Sequence, residues 1–172
     1  EIPFDNIVLD WQYWPVDRWG DHQFDPARFP DPDGMISTLH NELNANIMIS
    51  VWPKYYVGTE NYDAMKSNGY LYMRNVEKER KDWIGYLSTF YDAFNADARK
   101  AFWDQINGAL YSKGIDAWWL DATEPDMHSN MPMDERKAMM NPTALGSADR
   151  YFNAYALVQA QGVFEGQRAT DP

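Results

Sequence analysis

"NADARKAFWDQINGALYSKGIDAWWLDATEP", Asn95 to Pro125, sets a helix, a tight turn and a strand in immediate succession. Asn95 is a good helix N-cap, because its side-chain oxygen can accept a free backbone N–H of the first turn. Phe102, Ile106 and Leu110 then fall at i, i+4 and i+8, on one apolar helix face. Lys113 in the last turn suits the negative end of the helix dipole, and Gly114 has the backbone freedom of a C′ residue. The apolar run beginning at Ile115 follows at once and ends in an aspartate, as buried parallel strands do.

Two earlier segments have the same character. "NIVLDWQYW" (Asn6 to Trp14) and "NIMISVWP" (Asn46 to Pro53) each open with an apolar run and end in polar or aromatic residues. Between them, Asp31 or Asp33 caps a predicted helix through "DGMISTLHNELNA", with Ile36, Leu39 and Leu43 expected on its buried face. Strand, helix, strand, repeated, predicts an α/β fold with a parallel sheet and right-handed crossovers. The second crossover, residues 53–94, is long, polar and tyrosine-rich, with room for one or two short helices. Long segments after a strand often build functional walls. Beyond Pro125 come the loop "MHSNMPM", read as flexible, then "MDERKAMM", the loop "NPTALGS", and a helix near Ala148 to Gln161. Tyr151, Tyr155 and Val158 are spaced for one face of that helix. No internal repeat, linker or low-complexity segment divides the chain, so residues 1–172 read as one domain unit.

Composition narrows the function classes. The net charge of −11 argues against nucleic acid, whose phosphates require Lys and Arg. It argues equally against an anionic membrane surface. No apolar run of bilayer-spanning length is present. With no cysteine, thiol catalysis, disulfides and zinc–thiolate sites are excluded, and the redox compartment stays open. "DPDG" fails as a calcium loop, because Phe29 and His40 would occupy its first and last ligand positions. Aromatic residues make up 16% of the chain, including 8 Trp, and such density suits either a core or a site that stacks sugar rings.

The three strand ends carry Asp10, Trp52 and Asp121, which are 42 and 69 residues apart in sequence. In parallel α/β folds ligands bind at the carboxyl edge of the sheet, so these residues are expected to converge. Carboxylates beside indoles point to acid–base or nucleophilic work on a neutral polar substrate, and glycoside hydrolysis fits that description. Asp121 and Glu124 are not expected to be the two catalytic carboxylates, since both lie on one side of any bound bond.

"VLDWQYW", "RFPDPDGMISTLH", "ISVWP", "YDAFNADARKAFWDQI" and "AWWLDATEPD" together resemble glycoside hydrolase family 31, in order and over essentially the whole chain. "WLDATE" is similar to that family's W-x-D-x-x-E signature. The resemblance implies a partial (β/α)8 TIM barrel, about strands 2 to 4 with their helices, and a retaining mechanism without metal or organic cofactor. It implies that Asp121 is the nucleophile and that Asp10 hydrogen-bonds sugar hydroxyls. By the same resemblance Trp11 lines the pocket, Trp52 forms its apolar wall, Trp119 sits beside the nucleophile, and Glu124 supports the nucleophile loop. "NAYALVQAQGVFEGQR" resembles the helix after the nucleophile strand. "ATEP" in place of "MNEP" points to an α-xylosidase acting on α-xylosides or xyloglucan oligosaccharides, with an α-glucosidase as the alternative. The family's acid/base aspartate, in a W-S-G-D context, has no counterpart in the sequence. The chain is therefore expected to be a piece of a catalytic barrel, cut at both ends and inactive alone. A non-catalytic carbohydrate-binding remnant is the competing reading. The partner in either case is a carbohydrate.

Overall fold

The computed structural model describes residues 3–171. In chain order the elements are β1 (Asn6–Leu9), α1 (Pro32–Asn41), β2 (Asn46–Val51), β3 (Lys54–Tyr56), α2 (Glu60–Ser67), α3 (Arg74–Glu77) and β4 (Ser88–Phe90). There follow α4 (Ala96–Ala109), β5 (Ala117–Leu120), α5 (Met133–Met140), α6 (Ala148–Tyr151) and α7 (Tyr155–Thr170). Strands β1, β2 and β5 form a parallel sheet in that spatial order. The three expected strands are thus adjacent, in sequence order and parallel, and each expected crossover carries helices.

The local signals act where the sequence places them. Asp31 caps α1, its carboxylate accepting the Gly34 N–H at 2.9 Å, and Pro32 opens the helix. Asn95 caps α4 by accepting the N–H groups of Asp97 and Ala98 at 2.9 and 3.3 Å. A 3-10 turn over Tyr111–Lys113 then closes on Gly114, whose φ of +101° is left-handed. Lys113 pairs with Asp33 at 3.0 Å and so ties this turn to the start of α1. His40 bonds Asp116 at 2.8 Å, which joins α1 to the approach to β5.

One sheet face carries Ile47, Ile49 and Val51 of β2, all at 1% exposure or less. Burying each stabilises the fold by about 1.5–3 kcal/mol. Ile36 and Leu39 of α1 and Phe102, Ile106 and Leu110 around α4 belong to the same core. Trp118 stands on this face too, edge-on to Trp103 of α4 and donating its ring N–H to Gln167 of α7 at 2.8 Å. Helices α4 and α7 approach so closely that a Cβ on Gly166 would lie 2.2 Å from the Trp103 ring.

Four expectations are corrected. Leu43 is half-exposed, because α1 ends at Asn41 and the chain turns away before a further apolar position can reach the sheet. The 53–94 crossover holds not only two short helices but an antiparallel pair, β3 with β4, whose six residues are all buried. The C-terminal helix is not continuous from Ala148. A 3-10 turn over Phe152–Ala154 breaks it, and α7 runs on to Thr170. That break lets Tyr151 and Tyr155 both pack on Phe94. In the "MHSNMPM" loop, Met127 and Met131 belong to the core.

Candidate active site

The strands end at Leu9, Val51 and Leu120. Asp10, Trp52 and Asp121 are therefore each the first residue past a strand, on one edge of the sheet. Register adds their direction. Leu9 pairs with Ile49, and Val51 with Leu120. Side chains alternate along strands, and directly paired residues share a face. Ile49, Val51 and Trp118 point to the helices. Val8, Ser50 and Trp119 therefore point to the other face, and Asp10, Trp52 and Asp121 continue that alternation.

Asp121 stays in the ladder for one more bond, its N–H donating to the Val51 carbonyl at 3.1 Å. Its carboxylate accepts the N–H of Ala122 at 2.8 Å, and Ala122 is held at φ +47°. Asp10 does the same with the N–H of Trp11 at 2.7 Å, and Gln12 follows at φ +63°. Positive φ in non-glycine residues is strain that the surrounding structure must enforce, and such strain gathers at functional sites. Burial pushes the Asp121 carboxyl above the ordinary carboxylate range. The Ala122 N–H works against that shift, and the charges of Asp10 and Glu124 add to it. Asp121 thus sits within the electrostatic reach of the other two carboxylates.

Indoles form the wall beside them. Trp11 stacks on Trp19 at 5.4 Å between centroids, and Trp19 meets Trp52 edge-on at 4.8 Å. Trp83 meets Trp19 at 5.8 Å and Trp52 at 6.5 Å. Trp19 is the buried centre of the group, whereas Trp11 and Trp83 keep 36% and 48% of their surface open. Apolar rings left partly open beside carboxylates suit a pyranose, which has C–H faces and hydroxyl edges. Trp119, at 41% exposure, stands on the site face of β5.

Glu124 is exposed on the loop after Asp121. Arg136 of α5 spans this loop, donating to the carbonyls of Glu124 and Met131 at 3.3 and 2.9 Å and pairing with Asp126 at 2.8 Å. Asp92 is buried, taking the Tyr72 hydroxyl at 2.7 Å and the Ala144 N–H at 2.6 Å, so it braces the frame rather than a ligand. A cleft of about 480 Å³, lined by Phe24, Phe29 and Gln105 among others, contains none of the strand-end residues. Among the described residues no three His, Asp or Glu side chains gather to hold a metal ion. None of the described helices is long and apolar enough to cross a membrane.

The structure brings Asp10, Trp11, Trp52, Trp119, Asp121 and Glu124 to one edge and its following loops. Sequence reasoning missed Trp19, Trp83, Lys54 and Asp82. The length of the 53–94 crossover is a general signal for a wall, but nothing local marks which of its residues turn inward, and Trp19 lies in the segment between β1 and α1, which carries no such signal.

A parallel α/β sheet with its polar residues gathered at the carboxyl edge is the arrangement in which barrel enzymes place their active sites. The chain matches the glycosyl hydrolases family 31 TIM-barrel domain over residues 1–172, and it belongs to that family. The curated α-xylosidase of Saccharolobus solfataricus is 33% identical over 98% of this chain and 21% of its own length. The crystal structure of a family 31 α-xylosidase from Xanthomonas citri superimposes with a TM-score of 0.93 at 53% identity, over 97% of this chain and 18% of that one. A family 31 α-xylosidase from a soil metagenome, complexed with xylose, gives 0.82 at 33% identity, over 98% and 24%. The chain therefore spans about a fifth to a quarter of the length of these relatives.

Proposed function

We propose that this chain carries the nucleophile half of a retaining α-glycosidase site, with Asp121 as the nucleophile and an α-xyloside as the substrate. The observation that carries this reading is the seat of Asp121. It sits past the end of β5, half-buried, on the same edge as Asp10 and the indole wall. The resemblance of the relatives, two of them solved α-xylosidases, supports the substrate class. In this reading β1, β2 and β5 are about the second to fourth strands of the barrel.

In the first step the Asp121 carboxylate attacks the anomeric carbon, and the glycosidic oxygen leaves with a proton from a separate acid. A glycosyl ester remains on Asp121. Water then attacks the same carbon, gives its proton to the conjugate base, and releases the sugar and the free carboxylate. Asp10 holds sugar hydroxyls, Trp11 and Trp52 pack on the ring, and Trp119 flanks the nucleophile. In this reading the bulky indoles of Trp11 and Trp119 are what exclude a C6 hydroxymethyl and favour xylose over glucose. Glu124 stays on the Asp121 side and supports it. The acid/base is assigned to no residue of this chain, so the 172 residues alone are expected to turn over no aryl α-xyloside.

A fluorinated xylosyl fluoride that traps the ester tests the reading in the full-length gene product. The label is expected on the peptide holding Asp121. A label on any other carboxylate overturns the assignment. Higher kcat/KM on the aryl α-glucoside than on the α-xyloside would select the α-glucosidase reading instead. An intact, folded gene product that binds xylose without turnover would be a binding protein.

A further inference from the structure

Lys54 and Asp82 form an ion pair at 2.6 Å, with both side chains fully buried. Charges leave water only at a large cost, which close pairing and full hydrogen bonding must offset. Here every partner belongs to the indole wall or its support. One Asp82 oxygen accepts from Lys54 and from the Tyr56 hydroxyl at 2.8 Å. The other accepts the N–H groups of Ile84, Gly85 and Tyr86 at 3.0, 3.1 and 3.2 Å. Asp82 therefore folds the 82–86 turn around itself, and Trp83 rides on that turn. Lys54 follows Trp52 by two residues, across the buried Pro53. Its ammonium lies 4.2 Å from the centroids of both Trp19 and Trp83. Those two rings are nearly perpendicular, at 87°. The cation fills the corner between them and is attracted to both π faces.

Apolar side chains of the same volume would fill the space without placing a charge there. What the pair adds is direction. It joins the stem of Trp52 to the turn of Trp83 and sets the angle between Trp83 and Trp19. We propose that Lys54 and Asp82 are positioning residues that orient Trp83 and Trp19, and so set the affinity of the site for a pyranoside's apolar face. The proposal rests on the reading of this edge as a sugar site.

The test uses the full-length gene product and the variants Lys54→Met, Asp82→Asn, Trp83→Ala and Lys54→Met/Trp83→Ala. D-Xylose binding is followed by tryptophan fluorescence, and kcat and KM are measured on 4-nitrophenyl α-D-xyloside. Lys54→Met and Asp82→Asn are each expected to weaken xylose binding and raise KM about tenfold, with kcat changed less than about threefold, as loss of uniform binding requires. The near-ultraviolet dichroism of the indole group should weaken in both. In the double variant the two losses should fall short of multiplying, because the ion pair acts in part through that ring. Wild-type KM in Lys54→Met, or losses that multiply in the double variant, overturns the proposal. Should Lys54→Met not fold, Asp82→Asn carries the same test with its volume conserved. Full turnover in Asp121→Ala would instead sink the nucleophile assignment and leave the xylose result standing.

Discussion

The backbone N–H of Asp121 donates to the carbonyl of Val51 at 3.1 Å, one bond past the last paired residues of β5 and β2. The site aspartate is thus seated on the sheet and not on a free loop. Its backbone is fixed by the ladder, while its carboxylate is turned by the Ala122 N–H. A group on a rigid element can hold a reacting atom in place for in-line attack.

With Asp121 as the proposed nucleophile, Asp121→Ala in the full-length gene product should lower kcat on an aryl α-xyloside by about 10⁴-fold or more. Circular dichroism should show the fold retained. Near-normal turnover would remove Asp121 from the mechanism.

The same residue predicts a stability change of opposite sign. Its carboxyl is raised in the folded state, by burial first and then by Asp10 and Glu124. A carboxyl raised on folding favours the native state at low pH, and that contribution is lost as pH rises through the folded value. Asp121→Asn should therefore have a higher Tm than the wild type at pH 7, with the gap closing toward pH 4. An equal or lower Tm at pH 7 would contradict the burial of this charge.

Asp10 raises the Asp121 carboxyl through its charge. In Asp10→Asn the acid limb of the kcat/KM profile should move to lower pH, because Asp121 then ionises more readily. With Asp10 as the proposed partner of sugar hydroxyls, the absolute rate should also fall. An unmoved acid limb would mean that the two strand ends do not communicate.

Burial alone would raise the Asp82 carboxyl. The hydrogen bonds and charge of Lys54, with the Tyr56 hydroxyl and the Tyr86 N–H, outweigh it and hold the group below the ordinary range. A depressed carboxyl stabilises the fold above its unfolded value and loses that contribution as pH falls through the folded one. The wild type should therefore lose stability as pH falls below about 4, with a flatter curve in Asp82→Asn. Asp82→Ala should cost about 3–5 kcal/mol at pH 7, because Lys54 is left buried and unpaired. Urea unfolding measures both.

Gly166→Ala places a methyl group 2.2 Å from the Trp103 ring. Forcing α7 away from α4 should cost about 1–3 kcal/mol, read as a lower Tm. Gly108→Ala, which meets nothing within 4 Å, is the control and should be neutral or slightly stabilising.

Short-range chemistry is legible along the chain. Asn95 and Asp31 cap helices because a cap acts within three residues. Gly114 ends one because only its own φ is at issue. The strands at Asn6, Asn46 and Ala117 were visible as apolar runs, and their ends named Asp10, Trp52 and Asp121. Tertiary structure decided the rest. Leu43 fits a helical face on paper, yet α1 ends before the sheet can receive it. Met127 and Met131 sit in a polar stretch but are buried by what packs over them. Trp83 meets Trp19 and Trp52 on a turn whose aspartate, Asp82, bonds a lysine 28 positions away. No local pattern carries that pairing. It depends on how the 53–94 crossover folds back over the strand ends, and long-range closure of this kind leaves no period in the sequence to read.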